Sequence, residues 1–349
     1  MEKGLDILTF LEKAENIPAI DVRTPAEYKQ GHIPNAYNIP LFSNEERKRV
    51  GTTFKQSGQN DAVMMGLEFV GPKMKELAIK ASKIALKKQL LVHCWRGGMR
   101  SASMAWLFRT VGLESMVLDG GYKSFRRFAL DFFEGNFPFI VIGGFTGSGK
   151  TEILQELKNM GEQVIDLERL AHHKGSAFGG LGEKAQSTNE QFENDIFLQL
   201  FRFNKDRIVW IEDESRSIGR NTLPAGIHRN IRSAPMIFLN LAFEDRIKNL
   251  VKDYAHFSRK DLIDSISKIR PRLGDQTARS AIKGIENGHY DNTAELILHY
   301  YDKTYKYGLD KRNKDQVYNL AAEDATVPKN LAQQVFEFAI HNRISDQRL

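Results

Sequence analysis

Two stretches of this 349-residue chain bring together residue types that can do chemistry. The first is His93-Cys94-Trp95-Arg96-Gly97-Gly98-Met99-Arg100. Its paired glycines let a loop take φ > 0, so that backbone N–H groups converge on one point. Such an array at the start of a helix cradles an anion, and a sulfur at its focus is favoured as thiolate. A free thiol, with a pKa of about 8.5, is only a few per cent ionised at neutral pH. Making it mostly thiolate takes roughly 2.7 kcal/mol. A helix end supplies roughly 0.3–2 kcal/mol of this, and Arg96 and Arg100 are candidates for the rest. A lone cysteine is often only a small buried hydrophobe. Here two glycines, two arginines and a strand–loop–helix setting coincide. Cys94 is therefore the candidate catalytic residue, and Trp95, Arg96, Gly97, Gly98, Met99 and Arg100 form its loop.

The second stretch is Gly144-Phe145-Thr146-Gly147-Ser148-Gly149-Lys150-Thr151, a complete Walker A sequence between an apolar strand and a helical run. Gly144, Thr146, Gly147, Ser148, Gly149, Lys150 and Thr151 are the candidate diphosphate-binding residues: backbone amides wrap the phosphates, Lys150 adds charge and Thr151 can hold magnesium. Arg207-Ile208-Val209-Trp210-Ile211-Glu212-Asp213-Glu214 reads as a strand ending in carboxylates. Glu212 or Asp213 is expected across from Thr151, holding Mg2+ or orienting a nucleophile.

Composition narrows the options. One cysteine excludes an intramolecular disulfide and a Cys-rich zinc site. It also leaves no second thiol to take an atom from Cys94, so a bound acceptor must do so. His172-His173 has no accompanying ligand set, and no structural metal is expected. The formal charge of +6 is compatible with an RNA partner. Residues 215–233 contain no acid but include Arg216, Arg220, Arg229 and Arg232; with Arg270 and Arg272 these are candidate RNA or phosphate contacts. The N-terminal residues do not read as a secretory signal, and no apolar run is long enough for a bilayer. A cytoplasmic protein without a membrane partner is expected.

The elements that must position these residues follow from periodicity and punctuation. Residues 19–23 are a short strand. Thr24, Pro25 and Glu27 then start a helix as N-cap, first-turn proline and N3 acid. Residues 43–71 read as an insertion of loop and helix, and 73–88 as an amphipathic helix. The Cys94 strand, loop and helix follow, then a strand at 115–118, with a connecting helix at 125–136. Beyond it, strands at 139–142, 163–167, 207–214 and 235–241 alternate with helical runs. This alternation means parallel sheets with helices on both faces. Residues 175–180 read as a mobile lid or a plain surface loop, and 270–274 as a basic turn. The tyrosine-rich helix at 299–307 suits packing or base stacking, and 330–344 reads as a last amphipathic helix. The expected organisation is an N-terminal α/β domain at 1–135, a P-loop NTPase-like α/β domain at 136–310 and a helical C-terminal extension at 311–349.

Ile20-Asp21-Val22-Arg23-Thr24-Pro25-Ala26-Glu27-Tyr28, Gly31-His32-Ile33-Pro34-Asn35-Ala36, the Cys94 loop and Leu118-Asp119-Gly120-Gly121 together resemble a rhodanese domain. The resemblance implies a persulfide or perselenide on the loop cysteine, with Asp21 and Arg23 bracing the fold. With the Walker A domain added, residues 21–307 resemble the tRNA 2-selenouridine synthase family. That likeness rests on Cys94 to Ser101, Gly120-Gly121-Tyr122-Lys123, the Walker A, residues 170–179 and Arg272-Leu273-Gly274. It implies a transferase acting on 2-thiouridine at the wobble position, in the anticodon region of tRNA. Geranyl diphosphate would alkylate the sulfur, and selenophosphate would supply selenium to replace it. Two alternatives remain at this level. His93-Cys94, five residues and Arg100 also fit the signature of rhodanese-fold cysteine phosphatases, and the P-loop alone also suits a kinase regulated by a sulfur-sensing domain.

Overall fold

The structure, a computed structural model, describes residues 4–322 and 327–344. The chain forms two compact units, Met1–Phe132 with Glu193–Asp195, and Phe133–Phe192 with Ile196–Leu349.

The first unit runs α1 (Ile7–Lys13), β1 (Ala19–Asp21), α2 (Pro25–Gln30), β2 (Tyr37–Asn38), α3 (Asn44–Ser57), α4 (Gln59–Val70), α5 (Met74–Ile84), β3 (Gln89–His93), α6 (Met99–Thr110), β4 (Glu114–Val117) and α7 (Gly121–Phe132). Its strands form one parallel sheet in the order β2-β1-β3-β4, with Ile20 opposite Val92. Leu90, Leu91 and Val92 are all fully buried, as expected of a parallel strand covered on both faces. Thr24 and Glu27 close the anticipated capping box at the start of α2. The 43–71 insertion is two helices: Ser43 and Glu46 cap α3, and Gly58, at φ 91°, turns the chain into α4. The connecting helix begins earlier than expected, at Gly121. The Gly120-Gly121 turn delivers Tyr122, Phe125 and Ala129 straight into the core.

The second unit runs β5 (Phe139–Gly144), α8 (Lys150–Asn159), β6 (Gln163–Ile165), α9 (Leu167–Ala171), α10 (Asn189–Phe201), β7 (Val209–Glu212), β8 (Ser217–Ile218), β9 (Asn221–Thr222), α11 (Ala225–Ser233), β10 (Met236–Asn240), α12 (Phe243–Tyr254), α13 (Arg259–Leu273), α14 (Asp275–Asn287), α15 (Tyr290–Leu309), β11 (Val317–Ala321) and α16 (Pro328–His341). Its main sheet is parallel, in the order β11-β10-β5-β7-β6, and β8 and β9 form a small antiparallel hairpin. Helices α13 to α15 enclose a core of their own around Leu262, Ile266, Ala281 and Ile297. Residues 270–274, expected as a turn, instead close α13. The Leu262, Ile266, Ile269 spacing carries the helix through Pro271 to Gly274, whose φ of 88° ends it. Within 311–344 the chain forms α16 and also β11, which pairs along its length with β10. Leu331, Val335 and Ala339 of α16 join the core formed with Ile153, Leu154 and Leu157 of α8. No described helix is long and apolar enough to cross a membrane.

Candidate functional sites

Cys94 follows the last residue of β3, between the C-terminal ends of β1 and β4, where parallel sheets present ligands. It is 3% exposed. Gly97, at φ 68°, turns the loop so that Gly98 caps α6. The second glycine pair packs against this loop. A Cβ on Gly121 would lie 2.5 Å from the Cys94 carbonyl oxygen and 2.6 Å from the Gly97 nitrogen. In return, the N–H groups of Tyr122 and Lys123 donate to the carbonyls of Cys94 and Trp95 at 2.8 and 3.0 Å.

The sulfur lies 3.2 Å from the Ser101 hydroxyl. Burial raises its pKa, but the Ser101 hydroxyl, the Arg96 N–H, the Arg100 charge and the Ser101 N–H outweigh that, and the net shift is downward. Arg96 thus acts through its amide, with its side chain exposed. Arg100 acts through its charge while its two terminal nitrogens bond both oxygens of Glu27 at 2.8 and 3.2 Å. Trp95 and Met99 are exposed beside the loop, Met99 by 55%.

The Arg23–Asp21 ion pair, at 2.6 Å, is fully buried beneath the loop. Arg23 also donates to the Gly31 carbonyl and lies over the Tyr122 ring at 3.8 Å. It therefore ties β1, the 31–36 turn and α7 together.

In the second unit, Gly144 ends the central strand β5 and Lys150 opens α8. Gly147 and Gly149 take φ of 83° and 79°. A Cβ on Gly147 would meet the Arg246 carbonyl at 2.8 Å. Lys150 Nζ donates to the Gly144 carbonyl at 2.9 Å, arching over the loop. Asn249 donates to the Gly147 carbonyl and Arg246 to that of Thr146, so α12 buttresses the loop. Thr146 to Thr151 line a cleft of ≈ 1150 Å³. Arg216, Arg232 and Arg272 line it too, with Lys268, Tyr301 and Tyr305. The other predicted basic contacts do not reach it. Arg220 is engaged by Gln186, Arg229 pairs with Glu134 at 2.8 Å and Arg270 pairs with Asp275 at 2.7 Å.

The Thr151 hydroxyl donates to neither Glu212 nor Asp213, the acids expected across from it. Asp213 is held by Arg312 at 2.6 Å and by the Tyr305 hydroxyl at 2.7 Å; that hydroxyl also accepts the Gly144 N–H. Glu212 is fully buried, and its Oε1 accepts the Glu168 N–H at 2.8 Å. The acid at Thr151 is Glu168, whose Oε2 accepts the threonine hydroxyl at 3.2 Å. Burial, with the Glu168 charge beside it, pushes the Glu214 carboxyl up to about 8. Burial also raises Glu168, partly offset by Lys150. Hydroxyl and carboxylate oxygens are the donors a hard divalent cation takes, and the Thr151 hydroxyl, Glu168 and Glu214 gather them beside the buried, unpartnered Glu212 Oε2. These residues therefore fit Mg2+.

Residues 137–335 match the family described as tRNA 2-selenouridine synthase AAA domain, and residues 7–128 match the Rhodanese-like domain family. The tRNA 2-selenouridine synthase of Proteus mirabilis (strain HI4320) is 32% identical over 345 residues, covering 89% of this chain and 94% of that one. The chain belongs to the tRNA 2-selenouridine synthase family. The synthase of Aeromonas salmonicida (strain A449) is 32% identical, over 87% of this chain and 90% of its own. That of Nitrosomonas eutropha (strain DSM 101675 / C91 / Nm57) is 38% identical, over 71% of this chain and 66% of its own. In this selenouridine synthase framework Cys94 falls in the rhodanese-like match and the phosphate loop in the AAA match. Sequence reasoning missed Glu168, Glu214, Tyr305 and Arg312. The first had a local signal, since Asp166-Leu167-Glu168 follows directly on a buried strand. The others meet the loop only through long-range packing.

Proposed function

We propose that this protein converts 2-thiouridine at the wobble position of tRNA to 2-selenouridine in two stages. In the first, the thiouridine sulfur attacks the allylic carbon of geranyl diphosphate, the carbon–oxygen bond breaks and diphosphate leaves. In the second, the selenium of selenophosphate adds at the carbon bearing the S-geranyl group, the C–S bond breaks with loss of geranylthiol, and water cleaves the Se–P bond to release phosphate.

The observation that carries this reading is the Cys94 cradle: one buried sulfur, its ionisation favoured by the Ser101 hydroxyl and loop amides, with no second thiol in the chain. Such a site suits a soft selenium anion, carried in the cradle beside the Cys94 sulfur without a change in oxidation state. The diphosphate of the prenyl donor is assigned to Lys150, Thr151 and the amides of the 144–151 loop. Magnesium bound there would neutralise the departing diphosphate. Arg216, Arg232 and Arg272, at the rim of the same cleft, are assigned to tRNA phosphates. The family supports tRNA as the substrate.

Nucleoside analysis of tRNA tests both stages. Cys94→Ser is expected to abolish 2-selenouridine while S-geranyl-2-thiouridine still forms. Selenation at the wild-type rate would remove the carrier role. Lys150→Ala is expected to lose the S-geranyl product first, and unchanged S-geranyl product would remove the assignment of the loop.

A further inference from the structure

The acids around the phosphate loop fall into two groups that do different work. Asp213 is already neutralised: Arg312 and Tyr305 take its two oxygens at 2.6 and 2.7 Å, and Arg232 lies 3.6 Å away. Glu168 and Glu214 form the second group. Glu168 Oε2 receives the Thr151 hydroxyl, and the Glu214 carboxyl lies beside that of Glu168. Both abut the glycine of the 175–180 loop. A Cβ on Gly175 would lie 3.0 Å from an oxygen of each. Behind them is Glu212, 0% exposed, whose Oε2 has no partner. Lys150, the lysine whose charge both acids feel, spends a hydrogen bond on the Gly144 carbonyl instead. The Ser148 hydroxyl, 1% exposed, lines the same cleft without a partner. Carboxyl oxygens are thus gathered beside the hydroxyl of Thr151, while two loop and strand-end oxygens, on Ser148 and Glu212, are left without partners.

We propose that Glu168 and Glu214, together with the Thr151 hydroxyl, are the protein ligands of a divalent cation accompanying a diphosphate on the loop, and that neither Asp213 nor Glu212 is a ligand. This deepens the reading above and rests on its placing of a diphosphate there. Magnesium keeps several waters and typically takes one or two carboxylates plus substrate phosphate oxygens. A ready-made cage of three or more His, Cys, Asp or Glu side chains is therefore not required, and none occurs among the described residues. Asp213 is unsuited, because ligation would break its bonds to Arg312 and Tyr305. Glu212 Oε1 is committed to the Glu168 N–H, and so helps to hold α9, and with it the Glu168 side chain, in place.

The test is Mn2+ binding to the full chain with inorganic pyrophosphate as the diphosphate probe, read by the loss of the free-Mn2+ paramagnetic signal. Glu168→Gln and Glu214→Gln are each expected to weaken Mn2+ binding by about tenfold or more, with the thermal unfolding transition retained. Asp213→Asn, which removes the carboxylate charge already paired with Arg312, is expected to leave Mn2+ affinity close to wild type. The assignment is overturned if wild-type protein takes up no Mn2+ with pyrophosphate, or if both glutamine variants bind it normally. It is equally overturned if Asp213→Asn loses Mn2+ as severely as they do. Normal Mn2+ binding at these residues, alongside tRNA that gains no S-geranyl group, would sink the proposed function and leave the cation site standing.

Discussion

Cys94 shows how a buried group can still have its ionisation favoured. Removal from water opposes ionisation, and a hydroxyl, two amides and one guanidinium charge more than reverse it. Because the pKa is lowered, the thiolate persists to a pH below that at which an ordinary thiol protonates. The rate of alkylation by iodoacetamide, followed against pH, is expected to show its midpoint below that of a free thiol. Ser101→Ala removes the first-named stabilising bond and is expected to move the midpoint upward; an unmoved midpoint would leave the hydroxyl without this role. The Asp21–Arg23 pair obeys the same rules with a structural outcome. Burial alone would raise the Asp21 carboxyl, but the guanidinium bonded to it holds it below the usual carboxylate range. Its folded pKa is depressed, so its contribution is complete above the unfolded value and is lost as pH falls through the folded one. Arg23→Ala leaves a buried carboxylate unpaired. It is expected to cost about 3–5 kcal/mol, measured by denaturant unfolding.

At the scale of elements, each site is a strand end, a glycine-shaped loop and a helix start, and each is held by a second element far away in sequence. The Cys94 loop is clamped by the Gly120-Gly121 turn and α7. Gly121→Ala would place a methyl group 2.5 Å from the Cys94 carbonyl oxygen at a φ of 58°. We expect a loss of about 1–3 kcal/mol and alkylation of Cys94 slowed toward the rate of an ordinary thiol. Alkylation at the wild-type rate would mean that the clamp does not shape the cradle. Local signals sufficed for α2, where Thr24 and Glu27 announce the cap, and for the strand–loop–helix units at Cys94 and Lys150. They failed at 270–274, because proline, glycine and two arginines resemble a turn. Tertiary burial of Leu262, Ile266 and Ile269 carries α13 through that stretch.

At the scale of the whole molecule, the C-terminal segment belongs to the phosphate-binding unit. Strand β11 completes its sheet beside β10, and α16 seals α8, the helix that starts at Lys150. Burial of Leu331, Val335 and Ile344 contributes about 1.5–3 kcal/mol each, comparable in sum with a domain's net stability of about 5–15 kcal/mol. A chain ending after Gln316 is therefore expected to lose the cooperative unfolding of this unit and its affinity for pyrophosphate. Retention of both by the shortened chain would show the sheet to be self-sufficient without its edge.

Sequence alone determined the two glycine-shaped loops, the parallel α/β class and the family resemblance. All three rest on short contiguous motifs whose backbone demands are local: a glycine where φ is positive, a cap at a helix start, an apolar run in a buried strand. Only the tertiary structure decided which acids face Thr151. Glu168 reaches it from the start of α9, while Asp213, at the strand end where a magnesium ligand was expected, is bonded to Arg312 and Tyr305. Charge pairing inside a fold is settled by which side chains packing brings within about 4 Å, and that distance is not written in the spacing of residues along the chain.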